Sequence, residues 1–290
     1  MAPLPAEATL RRLIENELPA VKTAGCRLSP VQGLTGESWR IEGEGVQLLA
    51  RQQSAEKTAL GVSRRREARV LRSAGEGLGP QVLMQNNQWI ILEWLSGDVV
   101  TETHFIRLNQ HGDLARLVAR LHQRPLSGYP LNLHRQFARY WQQLDRRRLT
   151  PAWLRLHQRF LHASQPSPLK IAPLHMDIHP GNVIVQGEGV RLIDWEYAAD
   201  GDIALEIAAL FRGNAWSTAN QQRFLQHYVH EGYHDLPRLS AQVRCWLPWV
   251  DYLMLLWFEV RWQQTGDSEF LRWGAVQRRR FCLSSSPCSE

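Results

Sequence analysis

The sequence is poor in cysteine and contains no long hydrophobic run. Its four cysteines include no CxxC pair and are too few to build a disulfide framework, the usual device of small secreted proteins. The most apolar stretch, residues 246–260, contains Pro248, Asp251 and Glu259, so it is too short and too charged to cross a bilayer and predicts a buried helix. The N-terminal residues also lack the apolar run of a signal peptide. These absences predict a cytoplasmic protein that does not enter a membrane.

Disorder and nucleic-acid binding are also disfavoured. The 290 residues are 44% hydrophobic and 21% charged, which excludes a wholly disordered or low-complexity chain. A net charge of +6 would suit either nucleic acid or a small anionic ligand. The basic triplets at 64–66, 146–148 and 278–280 are scattered and have no stacking aromatic residues between them. They therefore predict solvent-facing helix surfaces and no nucleic-acid partner.

The hydrophobic pattern divides the chain into strand-rich and helical parts. Residues 28–95 are typical of two β-hairpins interrupted by one helix, which Ser63 caps and Gly75 ends. Residues 96–170 and 202–281 show the spacing of amphipathic helices. The sequence therefore predicts an α+β fold with a small β-rich lobe followed by a larger helical lobe.

The polar bend at residues 96–98 separates these two parts. We accordingly place the N-terminal lobe at residues 1–95 and the C-terminal lobe at residues 96–281. The tail, residues 282–290, has no apolar face to bury and is expected to be disordered.

A strand-rich island at residues 171–199 has the pattern of a β-hairpin. Its β-branched run at 183–185 and a second apolar run at 190–193 are separated by turn residues. If the two runs pair, residue 185 faces residue 190.

This register gathers three polar side chains at one end of the hairpin. Asn182 falls opposite Ile193 and therefore beside Asp194, and the turn at Pro180 brings Asp177 to the same end. Amide and carboxylate oxygens suit Mg²⁺, which keeps waters and is completed by substrate phosphates. Asp177 is free to receive a proton. A carboxylate base beside an Asn-plus-Asp metal site is the equipment of phosphoryl transfer.

Two other interpretations of the same residues stay open. His175, Asp177 and His179 alternate, so on a strand they would share a face and resemble the ligands of a zinc or iron hydrolase. Pro180 breaks the strand at that point, which disfavours this arrangement. The other interpretation is a loop with an ordinary buried histidine and solvated acids, in a protein without catalytic activity.

The motifs HMDIHPGN and LIDWEY resemble the Brenner-type motif and the metal-binding aspartate of the aminoglycoside phosphotransferase and choline kinase superfamily. The resemblance extends over residues 28–280 and implies a two-lobed, protein-kinase-like fold that uses ATP and Mg²⁺. It implies that Asp177 is the catalytic carboxylate and that Asn182 and Asp194 hold Mg²⁺ on the ATP phosphates. His175 would support the catalytic loop.

In the small lobe, the resemblance implies a loop that covers the phosphates, an ion pair, and a hinge segment whose backbone groups bind the adenine edge. The ion pair departs from the kinase pattern, because an arginine stands where kinases place a lysine, and the two side chains are not interchangeable. The nucleotide-binding residues implied are Thr35, Gly36 and Ser38 in the loop, Arg51 and Glu67 in the ion pair, and Glu93 and Leu95 in the hinge.

The longer run from PLHMDIHPGN to DIALEIAAL, with the later WLPW and WFEVRWQQTGD, is similar to bacterial thiamine kinases. This resemblance implies thiamine as the acceptor, with choline, an aminoglycoside or another amino alcohol as the alternative. Thiamine carries a permanent cation, which aromatic faces and carboxylates hold. The candidate acceptor residues are Trp195, Glu196, Asp202, Trp257 and Glu259. The sequence gives no marker of oligomeric state.

Overall fold

The computed structural model describes residues 6–19, 21, 25–31, 38–187, 189–231 and 233–283. Its first part contains the strands β1 (Arg27–Pro30), β2 (Ser38–Gly43), β3 (Val46–Gln52), β4 (Val82–Gln85) and β5 (Trp89–Glu93). They form one antiparallel sheet of five strands in the order β1-β2-β3-β5-β4. Both predicted hairpins are confirmed. The turn between β4 and β5 is closed by the Asn86 side chain, which accepts hydrogen bonds from the amides of Gln88 and Trp89.

Three helices accompany this sheet: α1 (Ala6–Glu17), α2 (Ala55–Ala59) and α3 (Arg64–Ala74). The predicted helix is α3, and its ends are as expected. Ser63 accepts a hydrogen bond from the amide of Arg66, and Gly75 follows the last turn. Helices α1 and α2 were not predicted. Helix α2 spans five residues, which is too short to show a helical hydrophobic period.

The part after residue 95 is mainly helical. Its helices are α4 (Glu102–His111), α5 (Asp113–His122), α6 (Leu133–Trp141), α7 (Pro151–His162), α8 (Ile203–Gly213), α9 (Thr218–His230), α10 (Leu236–Thr265), α11 (Ser268–Trp273) and α12 (Ala275–Arg280). Its strands are β6 (Asp98–Val99), β7 (Ile171–Leu174), β8 (Val183–Gln186), β9 (Gly189–Leu192) and β10 (Ala199–Asp202). Strands β6, β8 and β9 form one small sheet, and β7 pairs with β10. The predicted α+β fold is confirmed.

The register of the β8–β9 hairpin is the one the sequence predicts. Val185 lies opposite Val190, and the Ile193 amide donates to the Asn182 carbonyl over 3.0 Å. The hairpin therefore sets Asn182 beside the residue that precedes Asp194. This register positions the candidate site.

The core of the helical part lies between α8 and α10, which pack along each other. The apolar stretch at 246–260 belongs to α10, as predicted, and its acids are buried but paired. Asp251 lies 3.1 Å from Arg212, and Glu259 bonds Arg278 over 2.6 Å. Because buried charges need such partners, α10 can run through the core despite its acids. None of the helices among the described residues is long and apolar enough to cross a membrane.

The proposed boundaries of the lobes stay a prediction. At the predicted tail, the amides of Cys282 and Leu283 donate to carbonyls of the preceding helix. The rest of that tail, residues 284–290, lies outside the described residues.

Candidate active site

Asp177 stands directly after a strained turn that a buried carboxylate holds. Strand β7 ends at Leu174, and Met176 has a left-handed backbone with φ of 68°. This conformation costs a non-glycine residue roughly 1–3 kcal/mol. The Glu206 carboxylate, which is fully buried, accepts hydrogen bonds from the amides of His175 and Met176. These two bonds stabilise the turn and thereby fix the direction in which the chain enters Asp177.

His175 ties the same loop to the hairpin. Its ring is buried, and its Nε2 lies 2.9 Å from the Ile193 carbonyl. The resemblance implied a supporting role for His175, and this contact fits that role. The hydrolase interpretation finds no support here, because the fully buried His175 does not share an open face with Asp177 and His179. The described residues contain no group of three His, Cys, Asp or Glu side chains that could hold a metal ion.

Asn182 orients the Asp177 carboxylate. Its Nδ2 donates to Asp177 Oδ2 over 3.0 Å and to the Asp177 carbonyl over 2.9 Å. The Asp177 side chain is 38% exposed, so its carboxylate is accessible to a substrate. Because both donor contacts use the nitrogen of the amide, Oδ1 of Asn182 is the atom left for a cation.

His179 lies on the other side of Asp177. Its Nδ1 accepts the Gly181 amide over 3.1 Å, and its Nε2 is 3.8 Å from Asp177 Oδ2. Burial alone would lower the pKa of His179, but the carboxylate of Asp177 outweighs it and raises that pKa above its ordinary value.

Asp194 has the second strained backbone of the site, with φ of 60° and ψ of 62°. Its side chain is 36% exposed, and its Oδ1 accepts a hydrogen bond from Arg51 over 2.7 Å. Oδ2 of Asp194 and Oδ1 of Asn182 are therefore the side-chain oxygens left for a cation, and carboxylate and amide oxygens are the donors that Mg²⁺ prefers. These residues fit the metal that the resemblance implies.

Arg51 connects the sheet of the small lobe to this loop. It bonds Glu67 on α3 over 2.8 Å, and it also reaches Asp194 and Glu196. Burial opposes the charge of Arg51, but the carboxylates of Asp194, Glu67 and Glu196 outweigh it and hold its pKa well above the ordinary value. The side chains that meet here, named below the buried charge cluster, are Arg51, Lys57, Arg64, Glu67, Asp194 and Glu196.

The other predicted nucleotide residues are only partly described. Thr35 and Gly36 lie outside the described residues. Ser38 begins β2 directly opposite Arg51. At the predicted hinge, the amide of Glu93 donates to the Gln81 carbonyl and that of Trp94 donates to the Gln47 carbonyl. The Leu95 amide is not part of these two bonds.

Most of the predicted acceptor residues have other partners. Trp195 is 1% exposed and donates to the Leu192 carbonyl over 2.9 Å. Glu196 lies within the buried charge cluster, and Asp202 caps α8 and accepts the Trp246 indole N–H over 2.7 Å. Glu259, near the C-terminal end of α10, forms ion pairs with Arg148 and Arg278. These contacts favour structural roles for four of the five residues.

Trp257 is the predicted acceptor residue with the most open surroundings. It is half-buried, and its indole N–H donates to the Tyr197 hydroxyl over 2.9 Å. Tyr197 closes the short turn that follows Asp194. Burial raises the pKa of Tyr197 well above its ordinary value, and the nearby Glu196 adds to this effect, so the phenol stays neutral.

The sequence interpretation missed Glu206 and Lys57. Glu206 did leave a signal, because it is the single charged residue in the apolar run IALEIAALF. Such a residue in a buried helix needs a partner and is therefore a candidate for a structural or functional role. Lys57 left no comparable signal, since its helix is short and its partner lies 139 residues away in the sequence.

Similarity to known proteins agrees with this geometry. The phosphotransferase enzyme family matches residues 31–241. Thiamine kinase of Escherichia coli O17:K52:H18 (strain UMN026 / ExPEC) is 38% identical over 240 residues, which are 83% of this chain and 84% of that protein.

Two solved structures share the fold. Choline kinase LicA from Streptococcus pneumoniae superposes with a TM-score of 0.74 at 15% identity, covering 95% of this chain and 100% of that chain. A thermostable mutant of aminoglycoside phosphotransferase APH(4)-Ia, in a ternary complex with ADP and hygromycin B, has a TM-score of 0.63 at 15% identity, covering 94% and 99%. The predicted two-lobed, kinase-like fold is thereby confirmed. With its family match over most of the length and its motif residues gathered at one hairpin end, the chain belongs to the phosphotransferase enzyme family.

Proposed function

We propose that this protein is a thiamine kinase, which transfers the γ-phosphoryl group of ATP to the hydroxyethyl oxygen of thiamine and releases thiamine phosphate and ADP. The observation that carries the proposal is the identity of 38% to a thiamine kinase over 83% of the chain. The arrangement of Asp177, Asn182 and Asp194 supports it, because these side chains supply a carboxylate base and an oxygen pair for a cation.

The chain's own residues divide the chemistry between them. Asp177 would accept a hydrogen bond from the thiamine hydroxyl and take its proton as the oxygen–phosphorus bond forms and the bond to the leaving ADP oxygen breaks. Asn182 holds that carboxylate in place through the bond to Oδ2. When bound by Asn182 and Asp194, Mg²⁺ would neutralise charge on the ATP phosphates. Arg51 and the Leu95 segment would position the nucleotide.

The aromatic pair at the turn after Asp194 suits the permanent cation of thiamine. A cation is attracted to the faces of indole and phenol rings, and Trp257 and Tyr197 are joined at the turn that follows Asp194. The likeness to choline kinase and APH(4)-Ia supports the alternative acceptors through the fold alone.

The test is a measurement of ADP release with ATP and Mg²⁺ and, in parallel, thiamine, choline or kanamycin. We expect thiamine to be the preferred acceptor. Asp177→Asn should abolish turnover by orders of magnitude while ADP binding survives, and Asp113→Asn, which changes a half-buried aspartate at the start of α5, should behave as the native protein. Equal rates with choline would remove the thiamine assignment, and a near-normal rate for Asp177→Asn would remove the proposed base.

A further inference from the structure

Lys57 is a buried cation that none of the steps above uses. Its side chain is 2% exposed, and its Nζ bonds both carboxylate oxygens of Glu196, over 2.9 and 2.7 Å. Such depth keeps Lys57 away from any substrate. Its side-chain partner Glu196 lies two residues after the proposed metal ligand Asp194.

The helix that carries Lys57 is fastened to the C-terminal part. The Ser54 hydroxyl accepts the Lys57 amide at the start of α2. At the other end of α2, the carbonyls of Ala59 and Leu60 accept hydrogen bonds from side chains on and just beyond α6, those of Gln136, Tyr140 and Gln143. The position of Lys57 relative to Glu196 is therefore set by packing on both sides.

Glu196 and Asp194 compete for the same guanidinium. Nη2 of Arg51 lies 2.7 Å from Asp194 Oδ1 and 2.7 Å from Glu196 Oε2. Lys57 supplies Glu196 with two further hydrogen bonds, so Glu196 does not need Arg51 for itself alone. Arg51 can then keep its hydrogen bonds to both Asp194 and Glu196.

The charges of the buried charge cluster balance only when Lys57 is counted. Arginine 51, Arg64 and Lys57 give three positive charges against the carboxylates of Glu67, Asp194 and Glu196. Without Lys57, two cations of this cluster face its three carboxylates, and the neighbouring Arg66 donates to the Glu196 backbone carbonyl over 3.0 Å and not to its carboxylate. An uncompensated buried carboxylate is strongly unfavourable, so Glu196 would draw the guanidinium to itself and away from Asp194.

From this geometry we infer that Lys57 is a positioning residue for the metal site, which acts through Glu196 and Arg51 to hold the Asp194 carboxylate in its binding orientation. The inference rests on the proposed function, since it assumes that Asp194 binds Mg²⁺ with a nucleotide. Partners behind metal ligands typically influence metal affinity by 10- to 100-fold.

The experiment measures ADP binding by calorimetry across a series of Mg²⁺ concentrations, without an acceptor. Lys57→Met should raise the Mg²⁺ concentration for half-maximal ADP affinity on the order of 10- to 100-fold. The double variant Lys57→Met, Glu196→Gln restores a balance of two cations and two carboxylates. Its Mg²⁺ concentration for half-maximal ADP affinity should lie within about threefold of the native value. Lys170→Met is the matched control, because that lysine is exposed, and it should change nothing.

The variants separate positioning from folding. Should Lys57→Met not fold, Lys57→Arg and the double variant carry the test, and both should keep nearly native Mg²⁺ dependence. Native Mg²⁺ dependence in folded Lys57→Met, or a 10-fold or larger loss in the double variant, overturns the inference and leaves the proposed function intact. Absence of Mg²⁺-dependent ADP binding in the native protein would instead remove the proposed function.

Discussion

Two single residues with left-handed backbones bracket the reacting groups. Met176 precedes the proposed base, and Asp194 is itself the proposed metal ligand. Each of these residues is bonded by a charged side chain from another element: the Met176 amide by Glu206, and the Asp194 carboxylate by Arg51. Strain of this kind persists only where the surroundings over-determine it. At the residue scale, therefore, the site depends on the buried charged side chains that hold Met176 and Asp194.

Glu206→Gln tests this dependence with little change in shape. The native carboxylate accepts from two amides, but a glutamine presents one NH₂ group, which would meet an amide donor. We expect the free energy of unfolding to fall by about 1–3 kcal/mol, and turnover to fall on the order of 100-fold because Asp177 is displaced. Urea unfolding and steady-state kinetics measure the two effects. Glu269→Gln, an exposed control, should have neither, and unaltered turnover in Glu206→Gln would contradict this account of the loop.

At the scale of elements, the local sequence pattern predicted the hairpins but did not predict a very short helix or an ion pair between residues far apart in the sequence. The β8–β9 register followed from a β-branched run, a turn and a second apolar run, all within a dozen residues. Helix α2 and the Lys57–Glu196 pair could not be found in this way. A five-residue helix has no period, and an ion pair between positions 139 residues apart depends on how the whole chain packs.

The predicted acceptor residues show that sequence proximity alone does not determine which side chains face a ligand. Sequence proximity to Asp194 suggested that Trp195 and Glu196 face a ligand, yet the two side chains turn into the interior. Adjacent residues in a tight turn point in different directions, and only tertiary packing decides which of them reaches the cleft. By contrast, the placement of Asn182 next to the residue before Asp194 followed from the sequence because a short hairpin fixes that spacing, while the roles of the motif residues stay predictions.

Strand β6 gives a test at the element scale. It pairs with β8, the strand that follows the catalytic loop. Gly97, the residue before β6, has φ of 155°. An added Cβ there would lie 2.5 Å from the Val185 carbonyl oxygen, so Gly97→Ala must push β6 away from β8. We expect the free energy of unfolding to fall by about 1–3 kcal/mol.

Gly213→Ala is the control for this substitution. Gly213 ends α8, has an ordinary φ, and has nothing within 4 Å of an added Cβ. Alanine favours the helix there, so its stability should stay equal or rise slightly. Thermal and urea unfolding of both variants decide the matter, and equal stability of Gly97→Ala and Gly213→Ala would show that β6 is not held closely against β8.

At the scale of the molecule, the two parts of the chain are joined by charge as well as by apolar packing. The buried charge cluster draws on β3, α2 and α3 on one side and on the turn after β9 on the other. The aromatic core around α7 and α10 is apolar except for a few paired groups. In that core, His157 stacks on Trp141 with ring centres 3.9 Å apart and bonds the Tyr252 hydroxyl over 2.7 Å.

His157 makes the stability of the whole molecule depend on pH. Burial lowers its pKa from 6.5 to about 4, so between these values the unfolded chain binds a proton that the folded protein does not. The contribution of His157 to the free energy of unfolding should therefore be complete above pH 6.5 and should decline as the pH falls through 4. In His157→Gln this part of the decline should disappear, whereas His162→Gln, an exposed histidine on the same helix, should retain the native slope. Urea unfolding at intervals from pH 7 to pH 4.5 measures the slopes, and parallel curves for the native protein and His157→Gln would mean that burial of this ring does not control the acid sensitivity.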